Sequence, residues 1–216
     1  GTETASPDTG QMMSAPAFGL TAGPAVANET VQLAANDTDP GEAVTDASFY
    51  YVSKSDANIR SDANPASVTS AKIPIGTKMK RVRTFSNGTV AQLEVVQAAP
   101  GSATAVGTKY WTTFTNVQAS TVVNEPGFFV SYSDTWIYGS PFGAKLTTTA
   151  AGQTTNQSLA ASKETSYTVV ERCGTYAKVQ QNGIDQGWIQ SGALMNQVTR
   201  DRAKYMDDLE TWLDAR

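Results

Sequence analysis

The sequence predicts a mainly β protein that ends in one helix. From residue 49 onward, short runs alternate apolar and polar side chains, which is the pattern of half-buried strands. Clusters of Gly, Pro, Asn, Asp and Ser separate these runs, as turns separate strands. Near the end the apolar spacing changes to three and four residues, which is the period of a helix.

The first group of predicted strands lies between residues 45 and 123. Its members are residues 49–52 (FYYV), 78–83 (KMKRVR), 90–96 (VAQLEVV) and 109–114 (KYWTTF). Asn87-Gly88 predicts a hairpin turn between two of them, because both residues tolerate positive φ. The basic residues of 78–83 alternate along their strand, so we interpret them as a solvated strand face.

A second group follows a predicted break at residues 123–127, where Pro126-Gly127 is typical of a turn or boundary. Its strands are residues 128–138, 166–172, 175–180 and 187–190. Between them, residues 144–162 are small, polar and Thr-rich, which predicts a long excursion. This group is expected to end near residue 195.

A helix is predicted over residues 197–215, within a final segment of residues 196–216. One apolar stripe runs along it, formed by Val198, Tyr205, Met206, Leu209, Trp212 and Leu213. The stripe either docks on the β region or pairs with a second copy of the chain in a dimer. Most of the acidic residues lie on the other side and are interpreted as a solvated face.

Residues 1–44 differ from the rest in composition. They are rich in Ala, Thr, Gly, Pro and Asp and contain few large apolar side chains. Such a segment buries too little surface to offset its ordering entropy, so we expect a flexible or extended leader. Its start lacks a charged region followed by an apolar one, so no signal peptide is predicted within it, and an export signal that has been removed stays an open alternative.

The residue inventory argues against catalysis within this chain. Among its 216 residues there is no histidine and one cysteine, Cys173. Nucleophiles that need an imidazole base, zinc sites that use histidine and internal disulfides are therefore excluded. We expect no enzyme activity, cofactor or metal, and a buried thiol on a strand for Cys173.

Two partner classes are also disfavoured. The net charge is -4 and the basic residues are scattered, whereas nucleic-acid binders concentrate them on one face. No apolar run approaches the ~18 residues of a membrane helix. We therefore expect neither nucleic acid nor a membrane span.

Two segments together resemble the bacterial SH3 family. Ala57-Asn58-Ile59-Arg60-Ser61, followed by residues 73–79 (IPIGTKM), is similar to that family's "LNVRSGPS … KGT" opening. Residues 187–194 (GWIQSGAL) resemble its closing "GWVHSSYL" segment. The resemblance implies two SH3-like barrels in tandem, at residues 45–123 and 124–195. A single irregular β-sandwich is the alternative fold.

The family resemblance implies binding, because these modules commonly attach envelope enzymes to peptidoglycan or dock proteins. Flat aromatic side chains with an exposed face suit such ligands, although barrels this small also need large side chains as core. Trp188 is expected to be structural. The candidate ligand-binding residues are Tyr50, Tyr51, Trp111, Trp136, Tyr138 and Phe142, of which Tyr138 and Phe142 are expected to be exposed.

The predicted function is a non-catalytic bacterial protein of the envelope or exterior that holds cell-wall glycopeptide or a protein partner. Two alternatives stay open. Residues 14–22 (SAPAFGLTA) and 31–34 (VQLA) resemble leaders of cargo proteins packaged in extracellular contractile injection systems. The chain would then be such a cargo, or the N-terminal part of a toxin. The other alternative is a targeting fragment of a larger cell-wall hydrolase.

Overall fold

The computed structural model describes residues 42–43, 48–55, 57–60, 68–84 and 89–216. In the first part of this range the strands are β1 (Glu42–Ala43), β2 (Phe49–Val52), β3 (Asn58–Arg60), β4 (Val68–Lys72), β5 (Lys78–Thr84), β6 (Val90–Gln97) and β7 (Lys109–Thr113). A 3₁₀ turn at Phe114–Asn116 then leads into the long strand β8 (Val117–Val130).

The remaining strands follow β8. They are β9 (Thr135–Trp136), β10 (Thr147–Ala150), β11 (Gln153–Asn156), β12 (Ser158–Leu159), β13 (Tyr167–Cys173), β14 (Tyr176–Gln181), β15 (Ile184–Gln190) and β16 (Leu194–Met195). A second 3₁₀ turn, Ser191–Ala193, separates β15 from β16, and the helix α1 spans Gln197–Asp214. The predicted mainly β fold with a C-terminal helix is confirmed.

Most strands belong to one continuous antiparallel sheet. Its order is β15-β14-β13-β8-β2-β5-β6-β7-β3-β4, with β16 paired to β8 and β1 to β5. The pairs β9–β12 and β10–β11 stand apart from it. Within the part of the chain that the structure describes, this path does not close into a barrel.

The two halves of the sheet repeat one pattern of pairings. In the first half, β2 pairs with β5 and β8, β5 to β7 pair consecutively, and a 3₁₀ turn leads into β8. In the second half, the end of β8 pairs with β13 and β16, β13 to β15 pair consecutively, and a 3₁₀ turn leads into β16. The strand β8 therefore closes the first half and opens the second.

β8 runs through residues 123–127, where the sequence predicts a break, and through the expected boundary at 123/124. Its pairing with β13 shifts there: Val169 opposes Glu125, but Tyr167 opposes Phe128. The extra residue is a bulge that contains Pro126 and Gly127, the latter at φ 84°. A bulge tolerates proline, which lacks an N–H donor, so the Pro-Gly step bends the strand without ending it.

Each half has its own apolar core, supplied by alternate residues of its strands. β13 shows this alternation over its whole length, with four buried positions separated by three partly exposed ones. The first core contains Val52, Ala57, Ile73, Met79, Ala91, Leu93 and Val95. The second contains Val130, Ile137, Leu159, Tyr167, Val169, Ala177, Val179 and Ile189. Burying each large side chain contributes about 1.5–3 kcal/mol.

The region of residues 128–162 departs most from the prediction. The strand expected over 128–138 ends at Val130, and β9 pairs separately with β12. The Thr-rich excursion contains the hairpin β10–β11, whose turn places Ala151 and Gly152 at φ 51° and 80°. All eight of its strand residues are exposed, so no apolar alternation marked it in the sequence.

Some expectations lie outside the described residues. These are the leader up to residue 41, including its injection-system resemblance, and the Asn87-Gly88 turn. Of the expected leader, Glu42–Ala43 forms β1 and pairs with Arg83 and Thr84 of β5. No helix in the described part of the chain is long and apolar enough to cross a membrane.

Candidate functional site

An aromatic cluster joins the two halves. Its buried members are Tyr51 from β2, Cys173 from β13 and Trp188 from β15. The Tyr51 and Trp188 rings meet edge to face, with centroids 5.2 Å apart. Such a contact contributes about 0.5–1.5 kcal/mol beyond area burial. Because Tyr51 belongs to the first half and Trp188 to the second, the cluster holds the halves together.

Polar groups complete this junction. Glu171 is 4% exposed, and its carboxylate accepts a hydrogen bond from the Tyr51 hydroxyl at 3.3 Å. The Lys78 ammonium lies 3.2 Å from the same carboxylate, so the buried charge is paired. Burial, then the Glu171 charge, raises the pKa of the Tyr51 phenol well above its usual range. Burial also raises the pKa of the Cys173 thiol to about 12, which leaves that thiol unreactive at neutral pH.

The outer part of the cluster is half-buried and belongs to the second half. Tyr138 and Phe142 each meet the Tyr176 ring edge to face, with centroids 5.4 and 5.0 Å apart. Phe142 adopts φ 65°, a conformation that costs a non-glycine residue about 1–2 kcal/mol. Gly174 makes room for its ring, since a Cβ there would lie 3.0 Å from the Phe142 Cζ. The packing around Phe142 therefore fixes the loop that carries it.

A groove of about 670 Å³ lies along the same junction, and we call it the inter-repeat groove. The first half contributes Pro74, Ile75, Ala99, Pro100, Gly101 and Ser102, and the second contributes Ser140, Gly143, Ala144, Lys145, Leu146 and Thr147. The backbones approach closely on either side of it. A Cβ on Gly76 would lie 2.0 Å from the Ser140 Oγ, and one on Gly139 would lie 2.8 Å from Pro100.

The lining of the groove is mostly small and apolar, with three hydroxyl groups, from Ser102, Ser140 and Thr147, and one charge. Of its described lining residues, Lys145 is the charged one. Its ammonium lies 4.6 Å from the centroid of the Trp136 ring, which is 44% exposed. Cations interact favourably with an aromatic face at this distance. The arrangement suits a ligand that combines small apolar groups, a flat face and a negative charge.

The structure separates the six candidate residues into three settings. Tyr51, Tyr138 and Phe142 belong to the junction cluster, and Tyr51 is buried within it at 4% exposed. Trp136 stands exposed beside the groove. Tyr50 and Trp111 instead pack in the first half, Tyr50 against the Phe114 ring and Trp111 against Val90.

The solvated interpretation of residues 78–83 holds only in part. Lys80 has a side chain that is 50% exposed. Lys78, however, is partly buried against Glu171, and Arg81 lies over the Phe114 ring at 5.5 Å. Lys78 and Lys80 share one side of β5, and that side meets the junction between the halves at Lys78, whereas Arg81 lies on the other side and packs within the first half.

The residues that line the groove carry no sequence signal of a binding site. Pro100 follows the strand predicted over 90–96, in one of the Gly, Pro and Ser clusters that predict turns, and Lys145 and Leu146 lie in the stretch predicted as an excursion. No local signal marks them, because the groove exists only where the two halves meet. The described residues contain no cluster of three or more His, Cys, Asp or Glu side chains that could hold a metal ion.

The chain matches no protein-family model and no curated protein. A crystal structure described as "putative autolysin from Listeria monocytogenes" is similar at 15% sequence identity, with a TM-score of 0.25. The similarity covers 71% of this chain and 63% of that one, so it reaches less than two thirds of the length of that protein. A likeness at this TM-score carries no conclusion about fold or function.

Proposed function

We propose that this protein is a non-catalytic binding module of the bacterial envelope or exterior, which holds cell-wall glycopeptide in the inter-repeat groove. The observation that carries the proposal is the groove itself. It joins small apolar side chains from both halves to one cation, Lys145, which lies over the ring of the 44%-exposed Trp136.

The proposal includes two SH3-like units in tandem. The repeated order of strand pairings, each closed by a 3₁₀ turn and a final strand, supports this interpretation. So do the Asn58-Ile59-Arg60 opening in the first half and the Gly187-Trp188 close in the second. In this arrangement β8 serves both units, so they form one binding body.

The groove chemistry matches the ligand class. Cell-wall stem peptides present methyl groups, backbone amides and free carboxylates, and their glycan presents flat sugar faces. Lys145 would pair with a carboxylate, Ala99, Pro100 and Leu146 would contact methyl groups, and Trp136 would stack on a sugar. Most small-ligand sites combine an apolar lining with few polar groups in this way.

Sedimentation with purified, insoluble peptidoglycan tests the proposal. We expect the chain to be retained, and Lys145→Glu to weaken retention about tenfold or more, since a hydrogen bond to a charged group contributes about 1.5–3 kcal/mol. Trp136→Ala should weaken it less. Lys54→Glu is the matched control, because Lys54 is exposed and does not line the groove.

Two results would contradict this function. One is retention of the unaltered chain no higher than that of an unrelated acidic protein. The other is equal loss of retention in Lys145→Glu and Lys54→Glu, which would indicate binding through overall charge and not through the groove. Circular dichroism of each variant checks that the fold is intact.

A further inference from the structure

The helix α1 attaches to the second half through its polar side. The Lys163 ammonium lies 2.8 Å from the Asp207 carboxylate, and Lys204 pairs with Glu164. The Arg200 guanidinium donates a 2.9 Å hydrogen bond to the Lys163 carbonyl and lies 4.3 Å from the centroid of the Phe129 ring. These contacts come from the side of α1 that carries Arg200, Lys204 and Asp207.

The apolar stripe of α1 lies on the opposite side. At about 100° per residue, Leu209 is about 180° from Arg200 around the helix. Six large side chains of this stripe are exposed, and α1 has no buried residue. Their exposed fractions are 67% for Val198, 65% for Tyr205, 55% for Met206, 36% for Leu209, 51% for Trp212 and 55% for Leu213. The way in which α1 is attached therefore leaves its apolar stripe exposed to solvent.

Charge is ordered along α1 as well as around it. The N-terminal part carries Arg200, Arg202 and Lys204, with Asp201 as its acid. The C-terminal part carries Asp207, Asp208, Glu210 and Asp214. The macrodipole acts mainly within the first and last turns, so Asp214 at the C-terminal end is the charge that it disfavours. Arg200, Lys204 and Asp207 contact their own chain, so they do not also meet a partner through the stripe.

We propose that a second copy of this chain covers the stripe, with the two α1 helices antiparallel. Antiparallel pairing places Arg202 of one helix near Glu210 of the other, whereas a parallel pair would place the two Arg202 side chains together. The dimer surface lies on α1 and is separate from whatever the groove binds.

The available area supports a dimer of modest strength. Six large side chains, each about half exposed, offer roughly 500 Å² per copy, or about 1,000 Å² for the pair. This is the lower limit for specific interfaces, so we expect a reversible dimer that dissociates at low concentration.

Arg202 and Glu210 provide the test of orientation. They lie about 80° apart around α1, with Arg202 within the stripe between Leu209 and Leu213 and Glu210 just beyond it, and at similar distances from the two ends of the helix. In an antiparallel pair, Arg202 of one copy therefore lies near Glu210 of the other. Neither residue is among the contacts that attach α1 to its own chain.

The experiment is analytical ultracentrifugation of the full chain over a range of concentrations. We expect a monomer–dimer equilibrium, and Leu209→Glu should raise the Kd at least about tenfold. Arg202→Glu and Glu210→Arg should each raise the Kd about threefold to tenfold, because each changes two attractive contacts into repulsive ones. The double variant should restore it. Ile184→Glu, which also replaces an exposed apolar residue, should leave the Kd unchanged.

A monomer at every concentration would overturn the proposal, as would a dimer that Leu209→Glu leaves intact. Single charge reversals without effect would rule out the antiparallel arrangement. Far-UV circular dichroism of each variant shows whether α1 is still formed, and Leu213→Gln, a milder change in the same stripe, replaces Leu209→Glu if the helix is lost.

Discussion

The second half and the helix α1 join the rest of the molecule in opposite ways. The second half is joined by the shared strand β8 and by buried aromatic contacts, with Trp188 3% exposed against Tyr51. The helix is joined mainly by ion pairs at the surface, such as Lys163–Asp207 and Lys204–Glu164. Its apolar side chains take no part in the attachment.

This difference indicates which parts must act together. Buried apolar contacts contribute several kcal/mol each, whereas exposed ion pairs contribute about 0–1 kcal/mol and weaken with salt. The two halves should therefore unfold as one unit, while α1 can leave the surface without disturbing them. The predictions below test this contrast, from the largest expected effect to the smallest.

Removing the aromatic contact should have the largest effect. We expect Trp188→Ala to lower the free energy of unfolding by about 3–5 kcal/mol, because it leaves a cavity at the junction. Urea unfolding followed by circular dichroism measures the change. The transition should stay single, since β8 belongs to both halves.

Trp136→Ala is the matched control for that change, because Trp136 is 44% exposed and should cost less than about 1 kcal/mol. Equal losses in the two variants, or two separate transitions in the unaltered chain, would show that the halves are not held together at Trp188.

The close approach beside the groove should give an intermediate effect. Gly76 and Gly101 have similar φ values, 85° and 80°, but a Cβ on Gly76 meets Ser140 whereas one on Gly101 meets nothing within 4 Å. Gly101→Ala should cost about 1–2 kcal/mol from backbone strain alone. Gly76→Ala should cost about 1–3 kcal/mol more from overpacking.

Thermal and urea unfolding of the two glycine variants measures this difference. Adding Ser140→Gly to Gly76→Ala should return most of the extra loss, since it removes the atoms that the new Cβ would contact. Equal stability of the two single variants would show that Gly76 and Ser140 do not approach each other closely beside the groove.

The helix attachment should give the smallest effect and depend on pH. The Lys204 ammonium holds the pKa of Glu164 below its ordinary value, so this contact stabilises the docked helix at neutral pH. Because the pKa of the carboxyl is lowered by docking, the contribution is lost as pH falls through that lowered value. The protection factors of the amides in residues 161–165 and α1, which correct for the slower intrinsic exchange in acid, should therefore fall as the pH is lowered.

Glu164→Gln should lower the same protection factors at pH 7, with little change in the urea midpoint of the β region. Asp214→Asn removes one charge from α1 away from the attachment and is the control. A large shift of the urea midpoint in Glu164→Gln would mean that α1 is an integral part of the second half.

The sequence predicted the elements well where one side of an element is buried. β13 alternates strictly from Tyr167 to Cys173. The helical period also predicted α1 to within one residue at its end, although no residue of α1 is buried. Residues 90–96 were recognised for the same reason as β13, whereas residues 49–52 were recognised as a short aromatic run. Alternation of apolar and polar residues reflects the burial of one face of a strand, so such strands can be predicted without knowing which strands they pair with.

What the sequence could not predict depends on contacts between distant segments. Pro126-Gly127 is a boundary signal by composition, but the pairing of β8 with β13 absorbs it as a bulge. The apolar stripe of α1 predicts a helix without saying which side meets the protein. In the structure the polar side of α1 meets the protein, because Lys204 pairs with Glu164 and Asp207 pairs with Lys163.

The shared strand β8 has a consequence for how the groove meets a ligand. Its 14 residues form one strand, bent at the Pro126-Gly127 bulge, which pairs with β2 over the first part and with β13 over the rest. Together with the buried Tyr51–Trp188 contact, this strand fixes the two walls of the groove relative to each other. A ligand would enter a preorganised site, and little of its binding free energy would be lost to ordering the protein.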